Sequence, residues 1–122
     1  MKSIIGKKAE ELVGRKLEKE FNQPFSKKKL SVRGVPKEFD LVSDDRHIVA
    51  EVKSYKLGNV STKKAGYTTT RKWRLMGACV YLEKVNAKEK VLALTNKELC
   101  EQFKKDAQAL FPKVKIRHFK IA

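Results

Sequence analysis

No apolar run in this sequence approaches the roughly 18 residues of a membrane-spanning helix. The N-terminus, MKSIIGKKAEE, starts basic and turns charged again at once, which leaves no signal-peptide apolar region. A soluble, cytoplasmic protein with no membrane partner is expected. Cysteine is scarce. Cys79 lies in a strand-like apolar run and Cys100 in a helix-like one, so two buried thiols in a reducing compartment are expected rather than a disulfide framework. The two histidines, His47 and His118, are too far apart to form a zinc motif. No internal repeat or low-complexity linker divides the chain, so residues 1–122 read as a single domain. A chain of this length can bury roughly two-thirds of its unfolded surface, enough for one core.

Acidic residues are the most informative shortage. Fourteen Asp and Glu face 29 Lys and Arg, leaving a net charge of +15. A field of that sign on so small a body attracts polyanions. Nucleic acid is the usual one, and counterion release from neutralised phosphates would supply the affinity. The plainer reading of the charge is a lysine-rich surface kept for solubility.

Hydrophobic periodicity predicts a first helix over residues 3–21, ended by Asn22-Gln-Pro24. Strands follow at Lys27–Val32, Glu38–Ser43 and His47–Tyr55, with Asp44-Asp45-Arg46 as a turn. A second helix is expected over Ser61–Met76, stopped by Gly77, and then strands at 78–85 and 90–95. Asn96 caps a third helix through Phe111, and residues 114–121 close the chain as a strand. The order α-β-β-β-α-β-β-α-β describes an α/β domain with a central mixed sheet flanked by helices.

Within the strands, the stretch EFDLVSDDRHIVAEVKSY stands out. Alternation puts Ile48, Ala50 and Val52 on one face of the third strand, with Val49, Glu51 and Lys53 on the other. In the second strand Phe39 and Leu41 point one way, and Asp40 points the other. Asp40 and Glu51 can then look out from neighbouring strands about 4.8 Å apart, close enough to share one divalent ion. Alone this describes any sheet with one wet face. The first helix adds a second sign. Its stripe of Gly6, Glu10, Val13, Gly14, Leu17 and Phe21 carries Glu10 on the face that should pack on the sheet, where an unpaired carboxylate is costly. A salt bridge from Glu10 to a strand lysine is the plain alternative.

Gly6-Lys-Lys-Ala-Glu10 in a first helix, then Phe39-Asp40, then Glu51-Val52-Lys53, resembles the PD-(D/E)xK nuclease superfamily. The chain is similar to small archaeal Holliday junction resolvase-type nucleases, although GVPKEF does not clearly show the serine loop those enzymes favour before Asp40. Phe39 stands where the motif's proline would be. The resemblance covers the chain through about Leu82, and implies a restriction-endonuclease-like fold and a metal-dependent deoxyribonuclease. Matched position by position, it makes Asp40 and Glu51 the metal-binding acids, Lys53 the catalytic lysine and Glu10 the helix glutamate. The implied cofactor is Mg²⁺, with Mn²⁺ as a substitute, held also by the Val52 carbonyl. The implied partner is DNA, duplex or branched, and a homodimer stays open. The rival reading is a non-catalytic DNA- or RNA-binding protein on the same fold.

Binding residues form a separate layer. Lys27, Lys28 and Lys29 enter the first strand. Lys63, Lys64, Arg71, Lys72 and Arg74 surround Tyr67 and Trp73 in the second helix. Trp73 is expected to pack against the sheet. No base-reading motif is present, so recognition of backbone and shape is expected.

Overall fold

In the computed structural model, residues 4–54 and 68–121 are described, with side chains from residue 6 onward. The elements run α1 (Ile4–Phe21), β1 (Phe25–Val32), β2 (Val35–Ser43), β3 (Ile48–Lys53), α2 (Thr69–Lys84), β4 (Glu89–Leu94), α3 (Lys97–Ala107) and β5 (Lys115–His118). One five-stranded mixed sheet has the order β1-β2-β3-β4-β5. β1, β2 and β3 are antiparallel neighbours, whereas β3, β4 and β5 are parallel. The parallel pairs require crossovers, which α2 and α3 supply.

Two apolar layers hold the helices to the sheet. Ala9, Val13 and Leu17 of α1 pack with Leu41, Ile48, Ala50, Val52, Val91 and Ala93 on one face. Leu75, Cys79 and Leu82 of α2, with Leu99 and Phe103 of α3, pack with Phe39, Val42, Val49, Leu92 and Leu94 on the other. Gly14 lets α1 approach closely, since a Cβ there would sit 3.2 Å from a Leu41 methyl. α1 ends as the sequence predicts, with Asn22 in the left-handed region at φ 54°.

The expected strand at 78–85 is instead the second half of α2. Leu75, Ala78, Cys79 and Leu82 are its buried residues, spaced i, i+3, i+4, i+7. The β-prone letters of ACVYL mask that spacing, and two of the five residues face outward: Val80 and Tyr81 are exposed. Gly77 does not stop the helix but sits on its exposed side with open space around it. Gly77→Ala should therefore stabilise the fold by roughly 0.5–1 kcal/mol, readable as a higher midpoint in chemical denaturation. A lower midpoint would mean that the helix is interrupted there. The expected start of α2 at Ser61, and the end of β3 at Tyr55, lie outside the described residues.

β2 begins earlier than expected. Arg33 (φ 52°) and Gly34 (φ 87°) form a two-residue hairpin turn between paired Val32 and Val35, the geometry that matches strand twist. Pro36 is tolerated because it lies beyond the stretch of β2 that pairs with β3. Asn96 caps α3 as predicted, accepting from the Leu99 amide at 2.9 Å. That helix ends at Ala107, and the Gln108 side chain ties the following turn to the Phe111 and Val114 carbonyls. Among the described residues, no helix is long and apolar enough to cross a membrane.

Candidate active site

The β2–β3 ladder pairs Leu41 with Ala50 and Val42 with Val49. Continuing that register would set Asp40 opposite Glu51. There, side chains stand in for the backbone ladder. The Asp40 amide donates to Glu51 Oε1 at 2.8 Å, and the Val52 amide donates to Asp40 Oδ2 at 2.9 Å. Each strand thus lends a carboxylate to the other's backbone.

A bulge explains why Asp40 is available for this. Ser26 pairs with Val42 but Lys28 pairs with Phe39, so two β2 residues, Asp40 and Leu41, oppose Lys27 alone. Bulges re-aim side chains. Here Phe39 and Val42 share one face while Leu41 takes the other, so Phe39 and Leu41 do not share a face as simple alternation predicts.

Glu51 is only 4% exposed. Burial raises its pKa first, and the neighbouring Asp40 charge adds to the rise; the Asp40 amide, Lys37 and Lys53 oppose it. Two carboxylates crowded in a poorly solvated place repel each other. The Lys37 ammonium stands 3.5 Å from Glu51 Oε2, and lies over the rings of Phe39 and Tyr81. Sequence reading missed Lys37 because it placed the residue before the strand, whereas the Lys37–Phe39 alternation was the available signal. Lys53 ends β3, half-buried, two residues beyond Glu51.

Glu10 reaches this strip from the other side. α1 covers the Ala50 and Val52 face, whereas alternation turns Glu51 with Val49 towards α2. The Glu10 side chain is 13% exposed and its Oε1 lies 4.0 Å from the Lys27 ammonium, the residue opposite the bulge. Glu11 points outward and pairs with Arg15.

The donor set suits a hard divalent cation: oxygen ligands, two negative charges and a carboxylate whose raised pKa a nearby cation would relieve. Among the described residues, no group of three or more His, Cys, Asp or Glu gathers for metal binding. The cysteines take no part. Both are buried free thiols, and burial pushes Cys79 up to about 12, far from the thiolate range.

Glu51 also makes a test of stability. Its raised pKa means that the folded chain binds its proton more tightly than the unfolded chain. Stability then falls as pH rises above the ordinary value of 4.5. Glu51→Gln should remove that fall. The variant should melt higher than wild type at pH 8, about 4 °C per kcal/mol recovered at this size, and the two should converge near pH 4. Parallel melting curves across that range would exclude the strain.

The basic layer divides. On the edge strand β1, Lys27 and Lys29 are exposed and Lys28 half-buried. In α2, Arg74 is exposed, Arg71 and Lys72 are half-buried, and Lys72 pairs with Asp106 at 3.5 Å. Trp73 is 64% exposed, so the expected packing against the sheet does not occur. The inward positions of α2 belong to Leu75, Ala78, Cys79 and Leu82, and Trp73 lies off that stripe. Lys63, Lys64 and Tyr67 lie outside the described residues. No protein-family model, no curated protein and no solved structure matches the chain.

Proposed function

We propose that the protein is a divalent-cation-dependent endonuclease that hydrolyses phosphodiester bonds of DNA, duplex or branched, in the cytoplasm. The observation that carries this reading is the pair of carboxylates, Asp40 and Glu51, crossed between two strands where their ladder opens. An antiparallel three-strand unit followed by a helix and a parallel strand agrees with the restriction-endonuclease-like core.

In this reading Asp40 and Glu51 hold Mg²⁺ or Mn²⁺ with help from the Val52 carbonyl. The bound ion would neutralise phosphate charge and lower the pKa of a water. Lys53 orients that water or balances charge on the phosphate. Lys37 holds the Glu51 carboxylate in place. Glu10 acts at the margin, through Lys27.

Charge placement supports a nucleic-acid partner. The first turns of α2 contain Arg71, Lys72 and Arg74, and no acid lies in its first turn. Cations at the positive end of a helix dipole weaken a helix unless an anion is to be met there. Exposed Trp73 between Lys72 and Arg74 offers a stacking surface beside them.

A non-catalytic nucleic-acid-binding protein is the second reading. It draws on the backbone amides that already engage both carboxylates, an arrangement that would also serve as a structural clamp. Incubation with labelled duplex, single-stranded, flap and four-way DNA, in Mg²⁺, Mn²⁺ or EDTA, separates the two. Ion-dependent products on any substrate support the nuclease. Binding without products under all ions favours the clamp.

A further inference from the structure

We propose that the cavity between the β1–β2 turn and the C-terminal end of α2 is a phosphate-binding subsite, which grips the nucleic-acid backbone at a distance from the carboxylate pair. The subsite rests on the nucleic-acid reading above. The cavity measures about 530 Å³, and Arg33, Lys84, Lys88, Lys90 and Lys113 line it together with one acid, Glu83. Four separate chain segments deliver those five cations: the hairpin turn, the last turn of α2, the start of β4 with the residue before it, and the approach to β5.

Compensation is thin. Among the described residues, none of the five cations makes an ion pair within 4.0 Å. The single acid is already in use, because Glu83 Oε2 accepts from the Lys113 amide at 3.1 Å. Lys90 is the most telling member. It is 7% exposed, and its ammonium donates to the Glu83 carbonyl at 2.7 Å. An ammonium has three donors, and among the described residues this is the one hydrogen bond that the Lys90 ammonium makes. Burial lowers its pKa, and the Lys113 charge lowers it further. The Glu83 charge opposes that fall, and an anion in the cavity would oppose it further.

Helix capping alone does not account for the cluster. The C-terminal end of α2 carries partial negative charge, and cations there are favourable. That explains Lys84 and Lys90. Capping does not explain Arg33, Lys88 and Lys113, whose mutual repulsion water and Glu83 offset in part and a bound anion would offset further.

The position also fits a backbone track. The hairpin that carries Arg33 carries Lys37 four residues on, and Lys37 stands between Glu51 and the Tyr81 ring. Tyr81 lies one helical turn before Lys84 on α2. A strand laid along this hairpin–helix seam would pass from the carboxylate pair to the cavity. Phosphate is the shared chemistry of a nucleic-acid backbone and of a free phosphate, and the seam favours the backbone.

The test compares Lys88→Gln/Lys113→Gln with a control that removes the same charge from the opposite face of the sheet, Lys16→Gln/Lys19→Gln. All four side chains are exposed, so folding should survive, as circular dichroism would verify. Duplex DNA affinity is measured across 50–200 mM salt. The cavity variant should flatten the log–log salt slope by about two, one for each phosphate no longer neutralised, and the control by well under one. Equal changes in both variants, or no change in the cavity variant, would overturn the subsite. A wild-type protein that binds no DNA at all would remove the nucleic-acid reading itself. A parallel titration with inorganic phosphate follows amide resonances of residues 83–90. Shifts there, with DNA slopes identical in wild type and cavity variant, would make it a site for free phosphate and overturn the backbone assignment.

Discussion

Asp40→Asn and Glu51→Gln should each reduce divalent-ion-dependent cleavage at least ~100-fold, which corresponds to about 2.7 kcal/mol of transition-state stabilisation. Both substitutions remove charge and keep shape. An asparagine oxygen can still accept from the Val52 amide, and a glutamine oxygen can still accept from the Asp40 amide. The crossing of β2 and β3 should therefore survive. What is lost is the anionic oxygen pair that would hold a hard cation. DNA binding in EDTA should be unchanged or tighter, because each variant removes a negative charge from beside the scissile phosphate. Single-turnover cleavage at saturating Mg²⁺, with fluorescence anisotropy in EDTA, reads both halves. Cleavage by either variant at the wild-type rate would place the metal elsewhere, and loss of binding along with cleavage would point to a collapsed sheet.

The parts of this site that were legible in the sequence are those that local pattern governs. Period-two alternation located β3 and put Glu51 and Lys53 on the face away from Ala50 and Val52. Helical spacing located α1 and separated Glu10 from outward-facing Glu11. Features set by tertiary pairing were not legible. The bulge at Asp40 arises from how β1 and β2 align, and no letter in EFDLV announces it. The side of the sheet covered by α1 depends on the crossovers, so the approach of Glu10 and Glu51 from opposite faces could not be read in advance. The missed half of α2 has a different cause. Val80 and Tyr81 favour strands, but Leu75, Ala78, Cys79 and Leu82 must bury together, and packing overrode propensity. That same error hid the cationic cavity. Glu83 and Lys84 become its wall only when residues 78–84 continue as helix.

Affinity for duplex DNA should fall about 10³-fold between 50 and 200 mM salt, with a log–log slope near −5 for about six neutralised phosphates. The charge of +15 alone would allow a diffuse, weak attraction. The placement of the charges argues for more. β1 is an edge strand, where lysines also discourage strand addition, so Lys27 and Lys29 have a plain reason to be there. In the first turns of α2, Lys72 has Asp106 as a partner, but exposed Arg74 lies where the helix dipole opposes a cation. Trp73 is harder still to explain as part of the fold, because a large indole at 64% exposure contributes little to the core. Trp73→Ala should leave stability within about 0.5 kcal/mol of wild type. It should weaken DNA binding by about 1–3 kcal/mol, the range for removing one base–aromatic stack, and more on single-stranded or branched DNA, whose bases are open to stacking, than on intact duplex. The salt slope should not change, since no cation is removed. Anisotropy titrations at three salt concentrations measure slope and offset separately. A flat salt response would reduce the net charge to a solubility device, and a large loss of stability in Trp73→Ala would show that the indole supports the fold.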